Sequence, residues 1–87
     1  MLTEQIKLKV KIFPAAGLWD QKRELEIELN ESSLIELMAI LDKRLNVNQE
    51  KMKRLMFLHN GRALDRSKDV VFNNGDQLWL LPLLSGG

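Results

Sequence analysis

The sequence predicts an α+β domain in which a mixed sheet of four to five strands carries one helix across one face. Three observations predict it. Two segments in the first third alternate apolar with charged residues at a period of two. One central segment repeats apolar residues at steps of three and four, as a half-buried helix does. In the second half, Asn60-Gly61 and Asn74-Gly75-Asp76 set turns between short apolar runs. A sheet with one helix over it is the two-layer solution for so few elements, and 87 residues close one core with too little left for a second.

The composition removes several classes of function. With 45% hydrophobic and 29% charged residues the chain lies within the range of ordered globular proteins. Its 13 basic and 12 acidic residues are interspersed and leave a net charge of +1, so no strong field exists to hold a phosphate backbone or an anionic bilayer. Neither nucleic acid nor a membrane is an expected partner. Cysteine is absent, which excludes disulfides, thiolate metal sites and a cysteine nucleophile; His59 is the one histidine, and no metal-loop pattern accompanies it, so no metal is expected. The first twelve residues alternate rather than forming an apolar signal region, and no stretch is long enough to span a bilayer, which makes the cytoplasm the expected compartment.

Taken in order, Gln5 to Phe13 places Ile6, Leu8, Val10 and Ile12 on one face and Lys7, Lys9 and Lys11 on the other, the pattern of a half-buried strand. Pro14 to Lys22, with Gly17 and Asp20, reads as a loop in which the Trp19 ring folds back over the edge of the core. Arg23 to Leu29 alternates again, with Leu25, Ile27 and Leu29 inward. Its outward glutamates suit the outward lysines of the first strand, which predicts an antiparallel hairpin. Ser33-Leu34-Ile35-Glu36 reads as a capping box, and the helix behind it presents Leu34, Leu37, Met38, Leu41 and Leu45 as one stripe, with Lys43 and Arg44 in its last turn. Asn46 to Lys53 is polar and predicts a loop with one helical turn.

Arg54 to His59 predicts a strand, Asn60-Gly61 a tight hairpin turn and Arg62 to Leu64 a short return strand. Asp65 to Phe72 predicts a tight turn whose Val70, Val71 and Phe72 plug the core. After Asn74-Gly75-Asp76, Gln77 to Leu81 forms the last strand, and the long apolar first and last strands belong side by side in the centre of the sheet.

The last strand breaks the pattern. Leu78, Trp79, Leu80 and Leu81 are apolar on both faces, and one helix covers only one. Leu78 and Leu80 are expected to face the helix, leaving Trp79 and Leu81 on the open face with Met56 and Leu58. A patch of several large apolar side chains marks an interaction site, so these residues are expected to dock another protein, with cover by loops or self-association as the structural alternative.

Beyond the patch, Leu80-Leu81-Pro82-Leu83-Leu84-Ser85 runs into Gly86-Gly87. With glycine at about 7% of residues, two in succession at this point arise by chance roughly once in two hundred sequences. Glycine has no Cβ, so such an end can thread a passage too narrow for a side chain. The expected organisation is therefore a domain over 1–82 and a flexible tail over 83–87. No tag sequence precedes the glycines, which disfavours a remnant of cloning.

These residues resemble those of the MoaD/ThiS family of sulfur carriers, ubiquitin-like β-grasp proteins. The resemblance spans nearly the whole chain. Its most specific part runs from Asn74 through the apolar strand and Pro82 to Gly86-Gly87, and the small subunit of molybdopterin synthase is the most similar branch. Two departures stand out: Leu83 and Leu84 occupy positions where that branch usually has proline and valine, and the Asn74 position is usually acidic. The resemblance implies that the Gly87 carboxylate is adenylated by a ubiquitin-activating-like adenylyltransferase using ATP and becomes a thiocarboxylate, with Gly86 giving clearance. It implies that Leu81, Pro82, Leu83, Leu84 and Ser85 grip the partner, that the sulfur acceptor is the molybdopterin synthase large subunit or another acceptor enzyme, and that the carrier binds no cofactor and is not an enzyme on its own. A protein modifier conjugated to lysines, or a sulfur carrier for thiamine or another thiolated product, uses the same activation and stays open.

Overall fold

The computed structural model describes residues 5–15 and 19–83. In chain order it contains β1 (Ile6–Ile12), β2 (Arg23–Leu29), α1 (Leu34–Leu45), α2 (Gln49–Met52), β3 (Leu55–His59), β4 (Arg62–Ala63) and β5 (Gln77–Pro82). The five strands form one mixed sheet in the order β2-β1-β5-β3-β4. The expected pairing of the first and last strands is present: β1 and β5 lie side by side at the centre and run parallel.

The alternation in β1 and β2 fixes their register. Lys7 lies opposite Glu28, Lys9 opposite Glu26 and Lys11 opposite Glu24, while Leu8 meets Ile27 and Val10 meets Leu25 on the other side. Among the described residues only Lys11 and Glu24 close to 3.8 Å, while the other two positions set opposite charges across the strands without a direct contact; a slip by one residue would turn every apolar side chain to the wrong face. Leu8, Val10, Ile12, Ile27 and Leu29 are buried beneath Leu37 and Leu41 of α1, with Phe57, Leu78 and Leu80 completing the layer from β3 and β5.

Ser33 caps α1 in extended geometry, and its hydroxyl accepts the Glu36 N–H at 3.1 Å. The other half of the expected capping box is different. The Glu36 carboxylate accepts from the Asn30 N–H at 2.8 Å, tying the helix start to the end of β2, where the chain has left the ladder and the Asn30 donor needs a partner. Asn46 closes α1 in the left-handed region at φ 54°, and Lys43 and Arg44 occupy the last turn. The polar stretch after α1 forms its one helical turn, with Asn48 Oδ1 accepting the Lys51 N–H at 2.9 Å. It also supplies Val47 and Met52 to the core, which the sequence reading did not anticipate.

At Asn60-Gly61 both residues have positive φ, 51° and 87°, as the two-residue hairpin turn requires. β4 stops at Ala63 rather than Leu64, although the Leu64 N–H still donates to Phe57 O at 2.8 Å. The Val70-Val71-Phe72 plug needs correction. Extended backbone alternates its side chains, so Phe72 is buried, Val70 is half-buried and Val71 is 69% exposed. The Ser32 hydroxyl accepts the Phe72 N–H at 2.7 Å and fixes this segment against the loop before α1.

In the loop after β1, Trp19 is half-buried against the core and its indole N–H donates to Phe13 O, as a ring folded over the core edge should. Ala15 and Trp19 exchange backbone hydrogen bonds at 3.1 and 3.2 Å. Gly17 lies outside the described residues.

Candidate functional site: the open face of the sheet

The helix covers one face of the sheet, so every second residue of each strand is left on the other. Across that face the columns read Glu24, Glu26 and Glu28 on β2; Lys7, Lys9 and Lys11 on β1; Gln77, Trp79 and Leu81 on β5; and Met56 and Leu58 on β3. The first two columns carry opposite charges in register. The last two are apolar: Met56 is directly opposite Leu81, and Leu58 directly opposite Trp79. All four are half-buried.

The patch has a built edge. Phe13, two residues past Lys11, packs edge-to-face on Trp79 with ring centroids 5.5 Å apart. Lys11 Nζ lies 5.7 Å from the centroid of Trp79, and Lys22 Nζ lies 5.8 Å from that of Phe13. Both ammonium groups also approach Glu24, each at 3.8 Å. Trp79 is thus held by an aromatic edge, a cation and its cross-strand neighbour Leu58, which restricts its rotamers before any partner arrives.

β5 leads out of the patch. Even-numbered residues turn their backbone groups toward β1, as the bond from the Phe13 N–H to Leu80 O at 2.9 Å shows; odd-numbered ones turn toward β3. Pairing with β1 ends at Leu80. Pro82, which has no N–H, therefore falls where its missing donor would face a vacated flank, and the ladder loses nothing. The last described backbone bond joins the Leu83 N–H to Arg54 O at 2.8 Å. The predicted contact residues divide accordingly: Met56, Leu58, Trp79 and Leu81 share the open face, Pro82 sits opposite Leu55 on the helix side, and Leu83 is 52% exposed at the end of the strand. Leu84, Ser85, Gly86 and Gly87 lie outside the described residues.

No family model and no curated protein matches the sequence. Solved structures do match. The chain is similar to one in the complex of subunits 1 and 2 of molybdopterin-converting factor from Helicobacter pylori 26695, with a TM-score of 0.63, 22% identity, and coverage of 94% of this chain and 100% of that one. It is also similar to small archaeal modifier protein 1 from Methanosarcina acetivorans, with a TM-score of 0.58, 20% identity, and coverage of 97% and 99%. The ubiquitin of Caldiarchaeum subterraneum matches at a TM-score of 0.53 and 18% identity, over 97% of this chain and 100% of that one. The fold is the ubiquitin-like β-grasp.

At one end of this β-grasp sheet a polar cluster fixes the start of β5. Asp76 Oδ2 accepts His59 Nε2–H at 2.7 Å and the Asn73 N–H at 2.9 Å; since a carboxylate only accepts, Nε2 carries the proton. His59 packs edge-to-face on Phe72 at 4.9 Å. Asn60 pairs with Gln77 through two bonds of 2.8 and 2.9 Å, and the Gly75 N–H donates to Lys7 O at 2.7 Å. Desolvation pushes the Asp76 carboxyl up, but the Asn73 N–H and the His59 and Asn60 side chains outweigh it and hold the group below the usual carboxylate range. Asp65, exposed, is lowered by the Ser67 hydroxyl and backbone N–H.

The cluster stabilises a turn, and on its outer side His59 lines an open depression of about 290 Å³ shared with Arg62, Leu64, Asp65 and Val70. Among the described residues no group of three or more His, Cys, Asp or Glu could hold a metal ion, and no helix is long and apolar enough to cross a membrane. Sequence reasoning missed Phe13 as a wall of the patch and the His59–Asp76 pair. Phe13 could have been found by continuing the outward register of β1 two residues beyond Lys11. The His59–Asp76 contact joins residues 17 apart across two turns and left no local signal.

Proposed function

We propose that the chain is a sulfur carrier that acts through the carboxyl group of Gly87. The observation that carries the reading is the apolar open-face patch of Met56, Leu58, Trp79 and Leu81, on a strand that continues through Pro82 and Leu83 toward Gly86-Gly87. A carboxylate is a poor electrophile. An adenylyltransferase of the ubiquitin-activating type, docked on the patch, would join the Gly87 carboxylate to the α-phosphate of ATP with release of pyrophosphate. Sulfide then attacks the acyl carbon and AMP leaves, which produces a thiocarboxylate. Residues 83–87 act as the arm that carries this sulfur into an acceptor enzyme, with Leu84 and Ser85 gripping its groove and Gly86 giving the clearance that a side chain would deny. The carrier supplies no acid, base or metal and is not an enzyme on its own.

The likeness to a chain of the molybdopterin-converting factor complex supports a synthase large subunit as acceptor, and hence a place in molybdopterin biosynthesis in the cytoplasm. A second reading is favoured by the likeness to small archaeal modifier protein 1: the same activated Gly87 is attacked by a lysine amine and the protein modifies others. Intact mass measurement on protein from its own cells separates them. An oxygen-to-sulfur exchange on a chain terminating at Gly87 supports the carrier, and isopeptide-linked adducts support the modifier. A chain lacking Gly86 and Gly87 should still dock and should fail in transfer; full function of that chain would leave only an adaptor role.

A further inference from the structure

The two edges of the sheet differ. β4, at one edge, has two residues, too few to template another strand. β2, at the other, has seven, with no proline and no bulge; its core-side residues are Arg23, exposed at the start of the strand, then half-exposed Leu25 and buried Ile27 and Leu29, so the one inward charge guards only the first position. Among the described residues, the backbone groups on the outer side of β2 have no hydrogen-bond partner. An edge of this length is either guarded or used.

The charge on β2 is all of one sign where it matters. Glu24, Glu26 and Glu28 form a row along the open face. An antiparallel copy of β2 added to this edge would bring glutamates against glutamates, which disfavours pairing of two copies. On its inner side the same strand already shows what it accepts: β1 meets it with Lys11, Lys9 and Lys7 opposite those three glutamates and with apolar residues between. Glu26 and Glu28 make no ion pair within 4 Å among the described residues, so their charge is free for a second neighbour.

We propose that the β2 edge is a docking site for an extended segment of a partner protein with Lys or Arg at alternate positions and apolar residues between, added as a sixth, antiparallel strand. Backbone hydrogen bonds supply the attachment, and the basic side chains on the open-face side select the partner by pairing with Glu26 and Glu28. The site is separated from the apolar patch by β1 and does not depend on the chemistry at Gly87.

The test uses the whole chain, labelled with 15N, and a capped heptapeptide alternating Val and Lys. Addition of the peptide should shift the amides of residues 23–29 saturably and slow hydrogen exchange along β2. The same peptide with Glu for Lys should not bind, and E26Q/E28Q should weaken the Lys peptide about tenfold, close to 1.4 kcal/mol. A Lys peptide N-methylated on every second residue, tried in both phases, should lose binding in one phase only, because one side of an added strand pairs and the other does not. Equal binding by both methylated peptides, or shifts with no slowing of exchange in β2, would mean charge attraction without strand addition and would overturn the proposal. So would no binding of the Lys peptide at millimolar concentration, or equal binding of the Glu peptide.

Discussion

Replacing Asp76 by Asn tests whether the cluster at the start of β5 holds the sheet together through charge. The carboxylate accepts two hydrogen bonds, from His59 Nε2 at 2.7 Å and from the Asn73 N–H at 2.9 Å. Bonds to a charged acceptor are worth about 1.5–3 kcal/mol and neutral ones about 0.5–1.5 kcal/mol. An Asn side chain keeps the shape and one acceptor oxygen, so the substitution should lose about 1 kcal/mol per bond, or about 2 kcal/mol in all. For a chain of this size that is a fall in Tm of roughly 8–16 °C. The pH dependence gives a sharper check. Because the folded-state pKa of Asp76 is held below its unfolded value, the stabilisation is complete above the unfolded pKa of about 3.9 and is lost as pH falls through the lower folded value. Urea unfolding of both chains should show the full gap at neutral pH and a shrinking one toward about pH 2. A gap that stays constant with pH, or is absent at neutral pH, would refute the charge argument.

Three further outcomes follow from the same packing. Leu80→Ala removes a side chain with no exposed surface, and urea unfolding should show a loss of about 2–5 kcal/mol; a loss below 1 kcal/mol would mean the site collapses around the cavity. Gly75→Ala meets no atom within 4 Å, so its cost comes only from the backbone at φ +91° and should be about 1–2 kcal/mol by thermal unfolding, with unchanged chemical shifts outside the turn. Trp79→Ala and Phe13→Ala, made singly and together, should show a coupling of about 0.5–1.5 kcal/mol from their edge-to-face contact, whereas additive losses would mean that the two rings are held independently.

The sequence announces most of the sheet because its strands are patterned for two different environments. Lys7 to Lys11 against Glu24 to Glu28 could be read as a hairpin because charge and period agree, and the register Lys9 opposite Glu26 follows from both. Val47 and Met52 were unreadable for the opposite reason: each is a single apolar residue in a polar stretch, and only the fold of the chain brings them into the core. The Glu36 carboxylate shows a third case. Its capping motif is local, but whether it bonds to Ser33 or to Asn30 depends on how β2 enters the helix, which a four-residue motif does not contain. At the site, Met56, Leu58, Trp79 and Leu81 could be grouped because one helix covers one face, while His59 and Asp76 meet only through the order of strands in the sheet.

β5 explains why recognition and stability need not interfere in so small a domain. Its even residues Leu78 and Leu80 are fully buried under α1, and its odd residues Trp79 and Leu81 stand on the open face, so a substitution on one side leaves the packing on the other in place. The strand is central, hydrogen-bonded to β1 and β3 on its two sides up to Leu80, and anchored at its start by Asn60 and Asp76. A partner that presses on Trp79 and Leu81 therefore meets a surface already fixed by the core, and the cost of ordering it on binding is small. Past Leu80 the β1 flank is vacated, Pro82 removes the donor that would have faced it, and only β3 still holds the chain, through Leu83 and Arg54. Constraint thus falls stepwise along one strand, from two neighbours at Leu80 to one at Leu83. Within the described residues, the fixed patch and this stepwise loss of neighbours are what the proposed transfer through Gly87 would require of β5.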